Sequence, residues 1–287
     1  MVHIVLVGAG NMGFAMLSKW LAGHELTNSV AEPAIPQCSG KPQHTFSVIE
    51  PVDTLRQRAA AIGASVYADE SQLPEKLAAD VVVIATKPPM VSEIAALYAS
   101  RLSPSGLVIS VAAGIATAAL EKRVGNSLAV IRCMPNMPAS IGEGMMVCCS
   151  GSNASDYHRS VAQELLSAIG KVVFINDENL MDAVTAVSGS GPAYLFLFIE
   201  SLSQAGTAVG LDGDLALELA KQTVYGASKL AIESSDSPTT LRRQVTSPNG
   251  TTAAALDVLT RPGSGLPALV HQAVAAAKNR SEKLGKS

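Results

Sequence analysis

The spacing of apolar residues along this chain changes once, near Asn176. Before that point, short β-branched runs alternate with stretches of helical period, the pattern of βαβ units feeding a parallel sheet. Strands are predicted at 3–7, 45–50, 65–67, 81–85, 107–111, 128–131, 145–148 and 172–175. Several are unbroken apolar runs, as expected of strands buried on both faces. Segment 26–44 carries Pro33, Pro36, Pro42 and Gly40, and predicts a surface loop inserted before the second strand. Beyond Asn176 strand-like runs vanish and helices are predicted at 194–209, 214–234, 249–259 and 266–284. Leu215, Leu219, Thr223 and Gly226 recur at helical spacing, and Gly210, Pro238, Pro248 and Pro262 punctuate the segments. The expected architecture is α/β: a doubly wound sheet over 1–176, then an all-α domain over 177–287.

Composition sharpens that picture. Of 287 residues, 48% are hydrophobic, so a sizeable core can form. Aromatics are only 4%, which favours close helix packing over aromatic recognition surfaces. A helical half this poor in charge points to surface buried against another subunit or to a larger core of its own. With a net charge of −3 and no basic run, nucleic-acid binding is not expected. Cys38, Cys133, Cys148 and Cys149 form no C-x-x-C and read as buried reduced thiols. The chain opens on an apolar strand without a charged leader, and its apolar runs fall short of a membrane span. A cytoplasmic protein with no membrane partner is therefore expected. No metal-ligand spacing, G-x-S-x-G or phosphate-binding G-x-x-x-x-G-K-[ST] is present.

The candidate chemistry lies in two turns at opposite ends of the chain. Gly8, Gly10 and Gly13 fit G-x-G-x-x-G directly after the first strand and at the opening of a helix. The first glycine permits the tight turn, the second lets backbone approach a pyrophosphate, and the third lets helix and strand pack. Free N–H groups at the helix start then face the phosphates. Glu50, at the end of the second strand, is the candidate ribose-binding acid, displaced 37 residues beyond Gly13 by the 26–44 insertion. Its carboxylate would accept from a ribose 2′-OH and repel a 2′-phosphate, favouring NADH over NADPH; a solvated loop-end glutamate is the plain alternative. Lys87, at the carboxyl end of the fourth strand, either faces cofactor or substrate or caps a strand at the surface. The second turn, V-T-S-P-N-G-T-T at 245–252, can hold a small anion with backbone N–H groups and hydroxyls.

Taken in order, G-A-G-N-M-G, A-T-K-P, V-A-A-G-I (111–115), R-C-M-P-N-M-P-A (132–139), D-A-V-T-A-V-S-G-S-G-P-A-Y (182–194) and S-P-N-G-T-T resemble the pyrroline-5-carboxylate reductases. The likeness runs from Ile4 to about Leu259. It implies a Rossmann-type N-terminal domain and a helical domain that binds substrate and pairs in a homodimer, with rings of dimers as a further step. It also implies hydride transfer from NADPH or NADH to the C=N bond of 1-pyrroline-5-carboxylate, giving L-proline. By matching position, Gly8, Gly10, Asn11, Met12, Gly13, Thr86, Lys87, Pro88, Ala112 and Ala113 should contact cofactor, with Glu50 beside them. Asn249, Gly250, Thr251 and Thr252 should hold the substrate, its carboxylate mainly through main-chain N–H groups, and Thr252 is the candidate hydrogen-bond partner of the ring nitrogen.

Three departures stand out. Asn249 replaces the glycine usual in the family's S-P-G-G, which asks Asn to take a positive φ. The family's A-V-K-P-Q appears as A-T-K-P-P. Glu50 and Glu70 set carboxylates where the family commonly tolerates a 2′-phosphate. His24, His158 and His271 fall in no shared motif and read as surface or helix-face residues, while Ser190 with Pro192 reads as an N-cap followed by an early helical proline. Another imine or β-hydroxyacid reductase would want a catalytic lysine in a helical-domain motif, and Lys221 and Lys229 lack one. A non-catalytic dinucleotide sensor would have no use for the second turn.

Overall fold

The computed structural model describes residues 2–22, 44–74, 78–125 and 127–285. The predicted loop at 26–44, apart from His44, and with it His24 and Cys38, lies outside them. Two compact units emerge: Met1–Gly189 with Asn279–Ser287, and Ser190–Lys278.

The first unit is built on eight strands: β1 His3–Val7, β2 Thr45–Ile49, β3 Ser65–Tyr67, β4 Ala79–Ile84, β5 Leu102–Ser110, β6 Ala129–Met134, β7 Gly144–Ser150 and β8 Gly170–Ile175. Their order is β3-β2-β1-β4-β5-β6-β7-β8. All neighbours are parallel except β6 and β7, which pair Cys133 with Cys148 in antiparallel register. The expected parallel sheet is corrected there for a simple reason. Only Pro135–Glu143 joins β6 to β7, too short for the crossover of a dozen or more residues that a parallel pair needs.

Helices α1 Asn11–Ala22, α2 Asp53–Ala60, α3 Pro88–Ala99, α4 Thr117–Val124 and α5 Asp156–Ser167 connect the strands. Successive residues of the apolar strands serve opposite faces. Val81 and Val83 join the core of Met16, Leu17, Trp20, Leu165 and Leu166 from α1 and α5. Val82 and Ile84 join that of Val91, Ala95, Tyr98 and Leu120 from α3 and α4. Strands so enclosed need apolar side chains at every position, which is why V-V-V-I shows no alternation. Trp20 stacks on Phe46 at 5.5 Å and donates its indole N–H to the Leu165 carbonyl at 2.7 Å, so its one polar atom is satisfied.

A 3₁₀ turn Glu178–Leu180, a short helix α6 Met181–Val184 and a π-helical turn Thr185–Gly189 follow β8. The second unit then comprises α7 Gly191–Ala208, α8 Gly213–Glu233, α9 Pro238–Gln244, α10 Thr251–Leu259 and most of α11 Leu266–Leu284. Gly206 on α7 faces Ala216 on α8, where an added Cβ would stand 3.2 Å from the alanine methyl, so small residues set their close approach. Asp212 caps α8 by accepting from the N–H groups of Asp214 and Leu215.

The stretch Glu178–Ala208 runs 31 residues and contains an 18-residue window of mean hydropathy 1.2, enough by length and composition to cross a membrane and longer than the apolar runs legible in sequence. It arises because four helical pieces continue without a break. Its carboxylates Glu178 and Asp182 are engaged with Arg132 and Ser281, uses that suit a protein surface better than a bilayer.

Candidate active site

Turn residues stitch the carboxyl edge of the sheet together. Gly8 N–H donates to the Ile49 carbonyl at 2.8 Å, Ala85 N–H to Val7 at 2.8 Å, and Val111 N–H to Ile84 at 3.1 Å. The three turns expected to meet a cofactor, beginning at Gly8, Ala85 and Ala112, therefore stand side by side along one edge. Gly8 has φ +97°, and an added Cβ would lie 2.8 Å from the Ala85 carbonyl oxygen, while one at Gly13 would collide with the Gly8 carbonyl. Gly10 faces open space. Two glycines thus serve packing and the third leaves room for a ligand against backbone, where Asn11 and Met12 open α1 with N–H groups that lack intrahelical partners.

Thr86 Oγ1 is buried with no hydrogen-bond partner, and its Cγ2 would stand 3.1 Å from a Cβ on Gly8. An orphaned buried hydroxyl is costly, and a phosphate or ribose oxygen beside Gly8 would satisfy it. The residues present fit a dinucleotide. Lys87 and Pro88 are exposed; Lys87 occupies the N-cap of α3 without capping it through its side chain, and Pro88 opens the helix where its missing N–H costs nothing.

Glu50 is only 5% exposed, so it is not a solvated loop end. Its Oε2 accepts from Ala9 N–H at 2.8 Å and its Oε1 from Val52 N–H at 2.9 Å, pinning the glycine turn to the end of β2. Each oxygen retains a lone pair for a further donor. Glu70 is paired with Arg101 at 2.7 Å.

Beside the glycine turn opens a cleft of about 520 Å³. One wall is the start of α1 (Asn11, Met12, Phe14) with Arg58, whose guanidinium lies 3.4 Å over the Phe14 ring. The other is Pro135–Met137, Ser140 and Gly189. Three of the motifs met in the sequence thus share one cavity. Arg58 and Asn136 went unassigned from sequence; the M-P-N turn was a visible signal for Asn136, whereas Arg58 carries none. Ser190 corrects an expectation: it precedes α7 but makes no side-chain cap, because its backbone is already helical (φ −86°, ψ −23°) as the π-turn runs into α7. Pro192 does sit in the first turn.

Glu178 ties three elements together, its own 3₁₀ turn, α4 and β6. Its Oε1 accepts from Thr117 N–H and from Arg132, both at 2.9 Å, and its Oε2 from Thr117 Oγ1 at 2.6 Å. Burial pushes this carboxyl's pKa up, but the bonds from Thr117 and Arg132, with the arginine's charge, outweigh it and hold the group below the ordinary carboxylate value. The same neighbourhood, burial first and then the Glu178 charge, raises the Cys149 thiol. Cys133, Cys148 and Cys149 are buried and unpaired. His158 closes a capping box with Ser155 at the start of α5, and His271 is exposed.

The second turn lies in the helical unit. Asn249 has φ +58°, the one non-glycine with positive φ among the described residues. Gly250 donates to the Ser247 carbonyl at 3.1 Å and serves as N-cap of α10, and a Cβ there would collide with Ser247 Oγ. Thr251 and Thr252 are consequently the first two residues of α10, where unpaired N–H groups and the positive end of the helix dipole favour a carboxylate.

Strand order, glycine turn and helical second unit define a nicotinamide-dependent oxidoreductase of the Rossmann-plus-helical class. Residues 3–114 match the family described as NADP oxidoreductase, coenzyme F420-dependent, and residues 178–284 match pyrroline-5-carboxylate reductase dimerisation. The chain belongs to the pyrroline-5-carboxylate reductase family. It is 38% identical over 283 residues to the pyrroline-5-carboxylate reductase of Pseudomonas aeruginosa, covering 98% of this chain and 96% of that one. The Arabidopsis thaliana enzyme is 40% identical over 227 residues, 79% of this chain and 80% of its own. A Coxiella burnetii pyrroline-5-carboxylate reductase superposes with a TM-score of 0.85 at 31% identity, over 99% of this chain and 98% of the other. A Plasmodium falciparum pyrroline carboxylate reductase with NADP bound gives 0.77 at 28% identity, over 99% and 98%.

Proposed function

We infer that this chain reduces the C=N bond of 1-pyrroline-5-carboxylate to give L-proline. The observation that carries the reading is likeness over nearly the whole chain, to a Pseudomonas relative at 38% identity; the positive φ of Gly8 and Asn249 in the two end-turns supports it. A reduced nicotinamide, when bound, supplies the hydride. Backbone at Gly8–Gly13 and the Thr86 hydroxyl hold the dinucleotide, with Lys87, Pro88, Ala112 and Ala113 along its path. The N–H groups of Thr251 and Thr252, presented by Asn249 and Gly250, hold the imine's carboxylate, and Thr252 Oγ1 accepts from the protonated ring nitrogen. A threonine hydroxyl is too weak an acid to deliver that proton, so it enters with the substrate. Orientation does most of the work, because reacting atoms held about 3–3.5 Å apart avoid a large entropic cost.

NADH is the preferred donor in this reading, since the buried Glu50 carboxylate beside Ala9 accepts from a ribose hydroxyl and repels a phosphate. The working state is a cytoplasmic homodimer formed through the helical domain, residues 177–287, with a ring of dimers as the larger assembly. The test is loss of reduced-nicotinamide absorbance on adding 1-pyrroline-5-carboxylate, with NADH and NADPH in parallel and proline identified as product. Faster turnover with NADPH removes Glu50 from the reading and leaves the reaction standing. Cofactor binding without turnover overturns the reaction.

A further inference from the structure

Asn136 sits at the N-cap of the 3₁₀ turn Met137–Ile141, a position where asparagine is among the best residues for capping, yet its side chain makes no cap. It is spent on two other groups. Oδ1 accepts from Met145 N–H at 2.8 Å, anchoring the amide to the start of β7. Nδ2 donates to the Ser188 carbonyl at 3.2 Å, with Ser188 Oγ at 3.4 Å. Ser188 belongs to the π-helical turn Thr185–Gly189, and such a turn widens the helix and displaces a carbonyl from the regular ladder, a feature concentrated at functional sites. Next to it, Gly189 lines the cleft opposite Asn11 and Met12, where a side chain would run into Met134 Cε. One partner requires an acceptor and the other a donor, and among side chains of this length only a primary amide offers both at neutral pH.

We propose that Asn136 is a positioning residue for the reduction: by holding the Ser188 carbonyl it fixes the π-turn, and with it the Gly189 wall of the cleft beside the glycine turn. This rests on the reductase reading above. The amide acts in this role through the backbone: it ties the start of β7 to the π-turn whose last residue, Gly189, lines the cleft.

The decisive variant is Asn136→Asp. It keeps the bond to Met145 N–H and replaces the donor facing Ser188 with a repelling oxygen. Above pH 7 its kcat falls about 10- to 100-fold, matching the loss of a hydrogen bond that leaves a carbonyl facing a charge. NADH affinity, read by nucleotide fluorescence, changes less than about threefold, and amide exchange in the 185–189 segment quickens. Protonating the new carboxyl restores a donor, so the ratio of variant to wild-type activity climbs as pH falls from 8 to 5. Ser188→Ala removes the hydroxyl but not the carbonyl and stays close to wild type. An Asn136→Asp enzyme within about twofold of wild type at every pH overturns the proposal. So does a loss that is flat with pH and shared equally by NADH affinity and melting temperature. Absence of turnover in the wild type itself would instead sink the reductase reading, while the exchange measurement would still report on the Asn136 bond.

Discussion

The sheet unit and the helical unit solve the same problem in opposite ways. Strands β1, β4, β5 and β6 are buried on both faces and find partners within the chain, from Ile4 to Leu166. Within α7–α10 the fully buried apolar residues are just Ala216 and Ala220. Phe196 is 54% exposed, Leu197 62% and Ile232 84%. Exposed apolar side chains in the second half therefore mark a surface awaiting a second copy, in keeping with its match to a reductase dimerisation family. A core that closes on itself yields strands that sequence reads directly; a core shared with a neighbour yields helices whose apolar face is legible but whose partner is not.

The sharpest way to break the comparison is to charge the helical face. Phe196→Glu with Leu197→Glu removes two large apolar contacts, each worth about 1.5–3 kcal/mol, and adds the cost of burying carboxylates. Light scattering should then find monomers at concentrations where wild type is associated, with the sheet unit's circular dichroism retained. An unchanged mass would show that another face makes the assembly.

Next in size is Glu178, where the sheet unit depends on one ion pair rather than on bulk. Glu178→Gln should cost about 2–3 kcal/mol at pH 7, read as a lower urea midpoint. Because the folded-state carboxyl titrates below its unfolded value, its contribution is present above the unfolded pKa and lost as pH falls through the folded one. The gap between variant and wild type should therefore close below about pH 4. A gap that persists there would mean the side chain acts by packing alone.

A smaller effect separates the two uses of Glu50. Glu50→Gln keeps an acceptor for Ala9 or Val52 but removes the charge. The NADPH-to-NADH ratio of kcat/KM should rise about tenfold, equivalent to ~1.4 kcal/mol, and an unmoved ratio would confine Glu50 to bracing the glycine turn. Smallest is the second turn. Asn249→Ala should cost about 1 kcal/mol in melting experiments, because alanine tolerates φ +58° poorly, whereas Asn249→Gly should be neutral or slightly stabilising. Equal effects of the two would show that the Asn249 side chain, not its backbone, matters.

How far the sequence could be read follows the same division. Strand positions were legible because burial on both faces forbids polar residues, and the ends shifted by a few positions where pairing outruns apolarity, as when β5 begins at Leu102 rather than 107. Helix α9 went unseen because P-T-T-L-R-R-Q has no apolar period, although Ser237 capping Thr240 N–H before Pro238 was a readable start. The positive φ of Asn249 followed from its glycine-like setting. The Glu50–Ala9 hydrogen bond, the Asn136–Ser188 hydrogen bond and the Arg132–Glu178 pair join residues 41, 52 and 46 positions apart, and local patterns carry no record of such partners.

The bare apolar face of α7 and α8 also makes the protein's durability a matter of copy number. Where folding is coupled to association, the folded fraction follows mass action, so stability is a function of concentration. Dilution alone, with no change of temperature or solvent, should shorten the lifetime of activity, and a cell that makes less of this chain would hold each copy less securely.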